Sequence, residues 1–129
     1  MNTKQHTLSG QVTVSGVGLH TGVTANMTFV PAPPNHGIKF QRIDLPDQPI
    51  VDADVDFVVD LSRGTTIENN GARINTVEHV LAALVGTEVD NVLIQLDGPE
   101  TPIMDGSSRM FVDALNQTGF EEQDRKSVV

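Results

Sequence analysis

Alternation of apolar and polar residues dominates the first two-thirds of the chain. Val23, Ala25, Met27 and Phe29 are apolar, and Thr24, Asn26 and Thr28 between them are polar. A period of two is the mark of a half-buried strand. Pro31, Pro33 and Pro34 stop it, and Asn35-His36-Gly37 turns the chain. A further strand, Ile38 to Ile43, is expected as its hairpin partner. Upstream, Thr7 to Val14 is one β-rich stretch that ends in the turn Gly16-Val17-Gly18. Val55 to Val59 and Thr65 to Glu68 are shorter strand candidates. Asn69-Asn70-Gly71 is a strong turn signal leading into a strand over Ala72 to Ile74.

The period then lengthens. Val77, Val80, Leu81, Leu84 and Val85 recur at helical spacing, and Gly86 is a natural stop. Val92, Ile94 and Leu96 return to alternation. A proline-containing loop, Asp97 to Gly106, precedes a second helix whose apolar face carries Met110, Phe111, Val112 and Leu115, with Gly119 as its C-cap. Glu121 to Lys126 is charged and is expected to be frayed or a linker. Strands in runs followed by two helices predict an α+β two-layer sandwich: a mostly antiparallel sheet with both helices on one face.

Composition narrows the classes. The 129 residues suit one domain, and a hydrophobic fraction of 38% suffices for a core. With no Trp or Tyr, that core is aliphatic plus five Phe. Eight Lys and Arg against 17 Asp and Glu leave a formal charge of −9, which argues against nucleic acid and anionic membranes as partners. The absence of cysteine excludes disulfides and thiolate metal sites, so any transition metal would bind through His, Asp or Glu. No apolar run approaches the ~18 residues of a membrane span, and Met1 to Gln11 has no apolar leader core, so the expected location is the cytoplasm.

The helix near Asn75 carries the most informative pair, Glu78-His79. Asn75 is a good N-cap, and Glu78 stands three residues on, at capping-box spacing. Glu78 is thus either a cap reaching back to the Asn75 N–H or a catalytic carboxylate, and His79 either a structural residue or a metal ligand. The positive end of the helix dipole favours an ionised Glu and a neutral imidazole, the states that a general base and a ligand require. A catalytic zinc usually takes three protein ligands. None of His6, His20 and His36 has Asp or His four residues later; those positions hold Gly10, Thr24 and Phe40. The pair can supply one ligand and one base, so either no metal binds here or the remaining ligands lie outside this chain.

Three other segments carry weaker signals. Gly16 to Gly22 is glycine-dense but has neither a dinucleotide fingerprint nor a P-loop lysine, and reads as a tight strand connection with His20 hydrogen-bonded inside it. Pro99 to Ser108 runs into the second helix, with Asp105, Ser107 and Ser108 as candidate caps; structure rather than chemistry is expected there. Leu61-Ser62-Arg63 is an exposed loop or the rim of a ligand site.

Four blocks taken together resemble a known family: Gly16-Val17-Gly18-Leu19-His20-Thr21-Gly22, Pro31-Ala32-Pro33, Arg73-Ile74-Asn75-Thr76-Val77-Glu78-His79 and Pro102-Ile103-Met104-Asp105-Gly106-Ser107. In this order they look like the N-terminal domain of UDP-3-O-acyl-N-acetylglucosamine deacetylases, zinc amidases of lipid A biosynthesis. The resemblance covers the chain to about Phe120. It implies a fold like the second domain of ribosomal protein S5 and a site shared with a second, similar domain. It makes Glu78 the general acid/base, His79 one zinc ligand, and Leu61, Ser62 and Arg63 part of the substrate rim. The other ligands would come from a His-x-x-x-Asp helix in the second domain, with most contacts to the UDP-sugar. Residues 1–120 would then be the N-terminal domain, and 121–129 a tail or linker toward the second. A domain of this kind would bind zinc only weakly and be inactive alone. The rival expectation is a non-catalytic α+β packing domain, in which Glu78 caps Asn75 and His79 sits in the core.

Overall fold

A computed structural model describes residues 4–62 and 64–126. Among these described residues, ten strands and two helices follow one another as β1 (Lys4–Leu8), β2 (Val12–Val17), β3 (Thr24–Pro31), β4 (Ile38–Arg42), β5 (Ile50–Asp52), β6 (Val58–Asp60), β7 (Thr66–Asn69), β8 (Ala72–Ile74), α1 (Glu78–Gly86), β9 (Val92–Leu96), α2 (Arg109–Thr118) and β10 (Phe120–Lys126). A single 3-10 turn, Val55–Phe57, precedes β6. The class is α+β, as the change of period predicts.

The central sheet has five strands in the order β2-β3-β9-β4-β5. Its inward face follows from register. Met27 stands opposite Leu96 and Phe29 opposite Ile94, while Phe40 flanks Ile94 from the other side. All five are buried, and the ring of Phe29 meets that of Phe111 on α2 edge-on, centroids 6.5 Å apart. Val80, Ala83 and Leu84 of α1 and Phe111 and Leu115 of α2 join the same cluster. Each such side chain contributes ~1.5–3 kcal/mol by leaving water, so this cluster holds the helices to the sheet.

Several expectations need correction. β4 is not the hairpin partner of β3. β9 lies between them, antiparallel to β3 and parallel to β4, and β4 forms its hairpin with β5 instead. The β-rich stretch before Gly16 is two strands in two sheets. Gln5 and Thr7 of β1 are buried although polar, because amides and hydroxyls satisfy them. Asn91 Nδ2 donates to Gln5 Oε1 at 2.8 Å, and Thr7 Oγ1 donates to the Asn91 carbonyl at 2.6 Å. The segment Glu121 to Lys126, expected to be frayed or a linker, is strand: β10 pairs antiparallel with β1, Leu8 opposite Phe120. Val55 to Val59 is a 3-10 turn running into β6 rather than one strand.

β6, β7 and β8 form a separate three-stranded sheet. Asn70 (φ 54°) and Gly71 (φ 79°) make the β7–β8 turn with the paired positive φ of a type I′ hairpin. Arg42, buried at the end of β4, fixes this sheet against the central one. Its Nε and Nη2 each lie 2.8 Å from the Asp44 carboxylate, and its Nη1 donates to the Arg73 carbonyl.

Candidate functional site

The site is assembled where β8 runs into α1. Asn75 does not act as the N-cap. Its N–H donates to the Pro99 carbonyl at 2.8 Å and its side chain bridges Thr66 and Pro99. Thr76 then turns through φ 65°, a conformation that costs a β-branched residue of order 1–3 kcal/mol. The strain is offset by neighbours: Thr76 Oγ1 donates to Glu100, Thr101 Oγ1 donates to the Thr76 carbonyl, and the Val77 N–H donates to the Thr65 carbonyl. α1 therefore starts at Glu78, with no side-chain cap.

Glu78 looks away from Asn75. Its Oε1 accepts the Thr65 N–H at 3.1 Å, just ahead of β7. The capping-box expectation fails because the backbone donor it needed is already bonded to Pro99. Gly64 explains how the carboxylate reaches its seat. At φ 100° Gly64 suits only glycine, and a Cβ there would stand 2.8 Å from Glu78 Oε2. Glu78 is half-buried, as is the adjacent His79, which makes no hydrogen bond or ion pair among the described residues. One carboxylate with unused acceptor capacity and one imidazole thus share the first turn of a helix. Such an arrangement can move a proton and offer a single nitrogen to a metal.

The other sequence candidates are placed as follows. Leu61 is 70% exposed. Ser62 is exposed, and its N–H and hydroxyl both donate to Asp60 Oδ1 at 2.8 Å, which holds the Asp60 carboxyl below its usual range. Both precede Gly64, hence the seat of Glu78, closely in the chain. Arg63 lies outside the described residues. The other histidines stand elsewhere: His6 faces Asp90 and Glu122 at 3.9 Å on each side, and the His36 ring bonds the Gly37 carbonyl. The side chain of His20 is exposed; its backbone N–H is the group held inside the turn. Among the described residues no three His, Asp or Glu side chains converge on a point where an ion could sit. The donors present do not fit a complete zinc site; His79 offers one ligand and Glu78 one carboxylate.

Glu100 was missed. It lies in the loop where only structure is expected, and it is 2% exposed. Oε1 accepts the N–H of Thr21 at 2.9 Å and that of His20 at 3.0 Å, while Oε2 accepts the Thr76 hydroxyl at 2.7 Å. Burial pushes the carboxyl up, but bonds from the Thr21 N–H, the Thr76 hydroxyl, the His20 N–H and the Thr21 hydroxyl bring it below the ordinary glutamate value. Gly18 admits this approach, because a Cβ there would collide with Glu100 Oε1 and Thr21 Oγ1. A glycine-dense turn followed at long range by a lone Glu in a proline-rich loop was the only sequence signal.

Fold and site together define an α+β domain that presents a carboxylate–imidazole pair at a helix start. The chain matches the family model for UDP-3-O-acyl N-acetylglycosamine deacetylase over residues 5–129 and belongs to that family. It is 51% identical over 120 residues to the bifunctional enzyme LpxC/FabZ of Bacteroides thetaiotaomicron, covering 93% of this chain and 26% of that protein. It is 47% identical over 120 residues to the UDP-3-O-acyl-N-acetylglucosamine deacetylase of Myxococcus xanthus, covering 93% of this chain and 38% of that protein. Against the Methylococcus capsulatus deacetylase the identity is 45% over 121 residues, with coverage of 94% and 40%. The chain thus spans less than half the length of these curated relatives.

Proposed function

We propose that this chain is the N-terminal part of a zinc-dependent amidase that removes the N-acetyl group from UDP-3-O-acyl-N-acetylglucosamine, a step of lipid A biosynthesis. The observation that carries the reading is the seat of Glu78: a half-buried carboxylate, held by the Thr65 N–H beside an imidazole with no partner among the described residues, in a chain that belongs to the deacetylase family. In the complete enzyme Glu78 takes a proton from the water that attacks the acetamide carbonyl. It then delivers that proton to the amine nitrogen as the C–N bond breaks and acetate leaves. The Thr65 N–H keeps the carboxylate aimed, and Gly64 keeps its approach clear. His79 contributes one metal ligand, and residues outside this chain supply the rest. Leu61, Ser62 and Arg63 form part of the substrate rim.

The partners proposed are the UDP-sugar and the second domain, whose groups grip the diphosphate that this acidic chain repels. The location proposed is the cytoplasm; no helix among the described residues is long and apolar enough to cross a membrane. The test is deacetylation by the full-length protein carrying Glu78→Ala or His79→Ala. Loss in both is expected, and near-wild-type turnover in both sinks the reading. Calorimetry on this chain alone should show only very weak zinc binding; micromolar or tighter affinity would contradict the division of ligands.

A further inference from the structure

The Glu100 carboxylate does no chemistry in this scheme, yet it is the most completely enclosed charged group among the described residues. It joins three segments far apart in sequence. From β2 and its turn come the N–H groups of His20 and Thr21, and from the entry to α1 comes the hydroxyl of Thr76, two residues before Glu78. Its own loop is stitched to the same places. The Ile103 N–H donates to the Val17 carbonyl at 2.8 Å, the Thr101 N–H to the Asn75 carbonyl, and the Thr101 hydroxyl to the Thr76 carbonyl. Thr76 is the strained link in this set. Its left-handed backbone aims α1, and its side-chain hydroxyl is held by Glu100. An isolated buried carboxylate is costly, and this one is kept charged by the two backbone N–H groups and the Thr76 hydroxyl that donate to it.

We infer that Glu100 is a positioning residue for the proposed hydrolysis: it locks the turn 18–21 to Thr76 and so sets the angle at which α1 presents Glu78 and His79. The inference rests on the function proposed above. A displacement of about 1 Å at a reacting group can cost about a hundredfold in rate, so a small rotation of α1 is enough to matter. Glutamine at 100 keeps one oxygen for the turn but replaces the other with an NH2, which opposes the His20 N–H and abolishes the charge-assisted bond donated by the Thr76 hydroxyl, leaving that hydroxyl only as an acceptor. Thr76→Val keeps the shape of the side chain and cuts only the link to α1.

The test uses the full-length enzyme with Glu100→Gln, Thr76→Val and the double variant. Rates are corrected for folded fraction by a thermal melt at the assay temperature. The expected result is a fall in kcat of at least about tenfold in each single variant, with KM within about twofold, and no further fall in the double variant because both cut one link. Wild-type kcat per folded molecule in Glu100→Gln overturns the inference. So does a rise in KM at unchanged kcat, which would place Glu100 in substrate binding, or an additive double variant. If Glu100→Gln does not fold, Thr76→Val decides alone: unchanged kcat overturns the inference and a drop supports it. Glu78→Ala run alongside separates the two claims. Activity retained there sinks the proposed function; activity lost there but kept in Glu100→Gln sinks only the inference.

Discussion

Two glutamates flank the same strained threonine, Glu78 two residues on in the chain and Glu100 through a hydrogen bond, and are treated in opposite ways. Glu100 is enclosed, and its lone pairs are taken by two chain segments, the turn at His20-Thr21 and Thr76. Glu78 is half-buried and holds one backbone bond, leaving acceptor capacity unused. A carboxylate whose oxygens are taken up by N–H and hydroxyl donors can hold geometry but cannot exchange a proton without breaking that geometry. One with spare lone pairs at a surface can take up a proton and release it. Under the proposed function, the pair separates scaffolding from chemistry within one small region.

That contrast can be broken at several points. The largest effect expected is on activity: Glu78→Ala in the full-length enzyme should lower kcat by ~10²–10⁴-fold, the usual range for a general acid–base group, while shifting the urea midpoint little. Glu100→Ala is expected to cost stability as well as kcat. It strands the His20 and Thr21 N–H groups and the Thr76 hydroxyl, each costing ~1–3 kcal/mol when buried and unpaired, so denaturant unfolding should show a loss of at least ~3 kcal/mol. A stable Glu100→Ala protein would erase the distinction. Gly64→Ala comes next. Its Cβ crowds Glu78 Oε2 at a φ that alanine resists, so a loss of ~1–2 kcal/mol should come with a drop in kcat, read from melts and initial rates.

Acid stability sharpens the contrast further. The Glu100 carboxyl is held below the ordinary glutamate value in the folded protein. Its contribution is therefore complete above that value and is lost as pH falls through the lower folded value. Glu100→Gln should be less stable than the parent near neutrality, with the gap closing under acid in a urea-melt series. A gap that stays constant would show that the charge contributes nothing. The smallest effect is expected of Leu61→Ser: stability within ~0.5 kcal/mol, as for exposed positions, with any change confined to KM if the rim proposal holds.

Much of the fold was legible where periodicity spoke. Ala25, Met27 and Phe29, then Val92, Ile94 and Leu96, then Phe111 and Leu115 all face the core as their spacing required. Partnership between strands was not legible, because alternation names a buried face and not the neighbour. Nothing local in Ile38 to Arg42 signals that β9 will lie beside it. β10 was hidden by its charges, and the inward polarity of Gln5 and Thr7 masked β1, since an amide network replaced apolar contacts. At the site, Glu78 and His79 stood out through their spacing, but the cap assigned to Glu78 failed because Pro99, distant in sequence, supplies the acceptor for the Asn75 N–H. Glu100 was invisible for the same reason: its bonds join positions about eighty residues apart.

The pairing of β1 with β10 has a consequence for biogenesis. Leu8 finds its partner only at Phe120, more than a hundred residues later. A ribosome adds residues at ~5–20 per second, so the first strand waits several seconds with its edge open. Long-range closure of this kind also slows folding in general. During synthesis the nascent chain would therefore expose Leu8 and the amides beside it, which makes the early segment the natural place for a chaperone to hold.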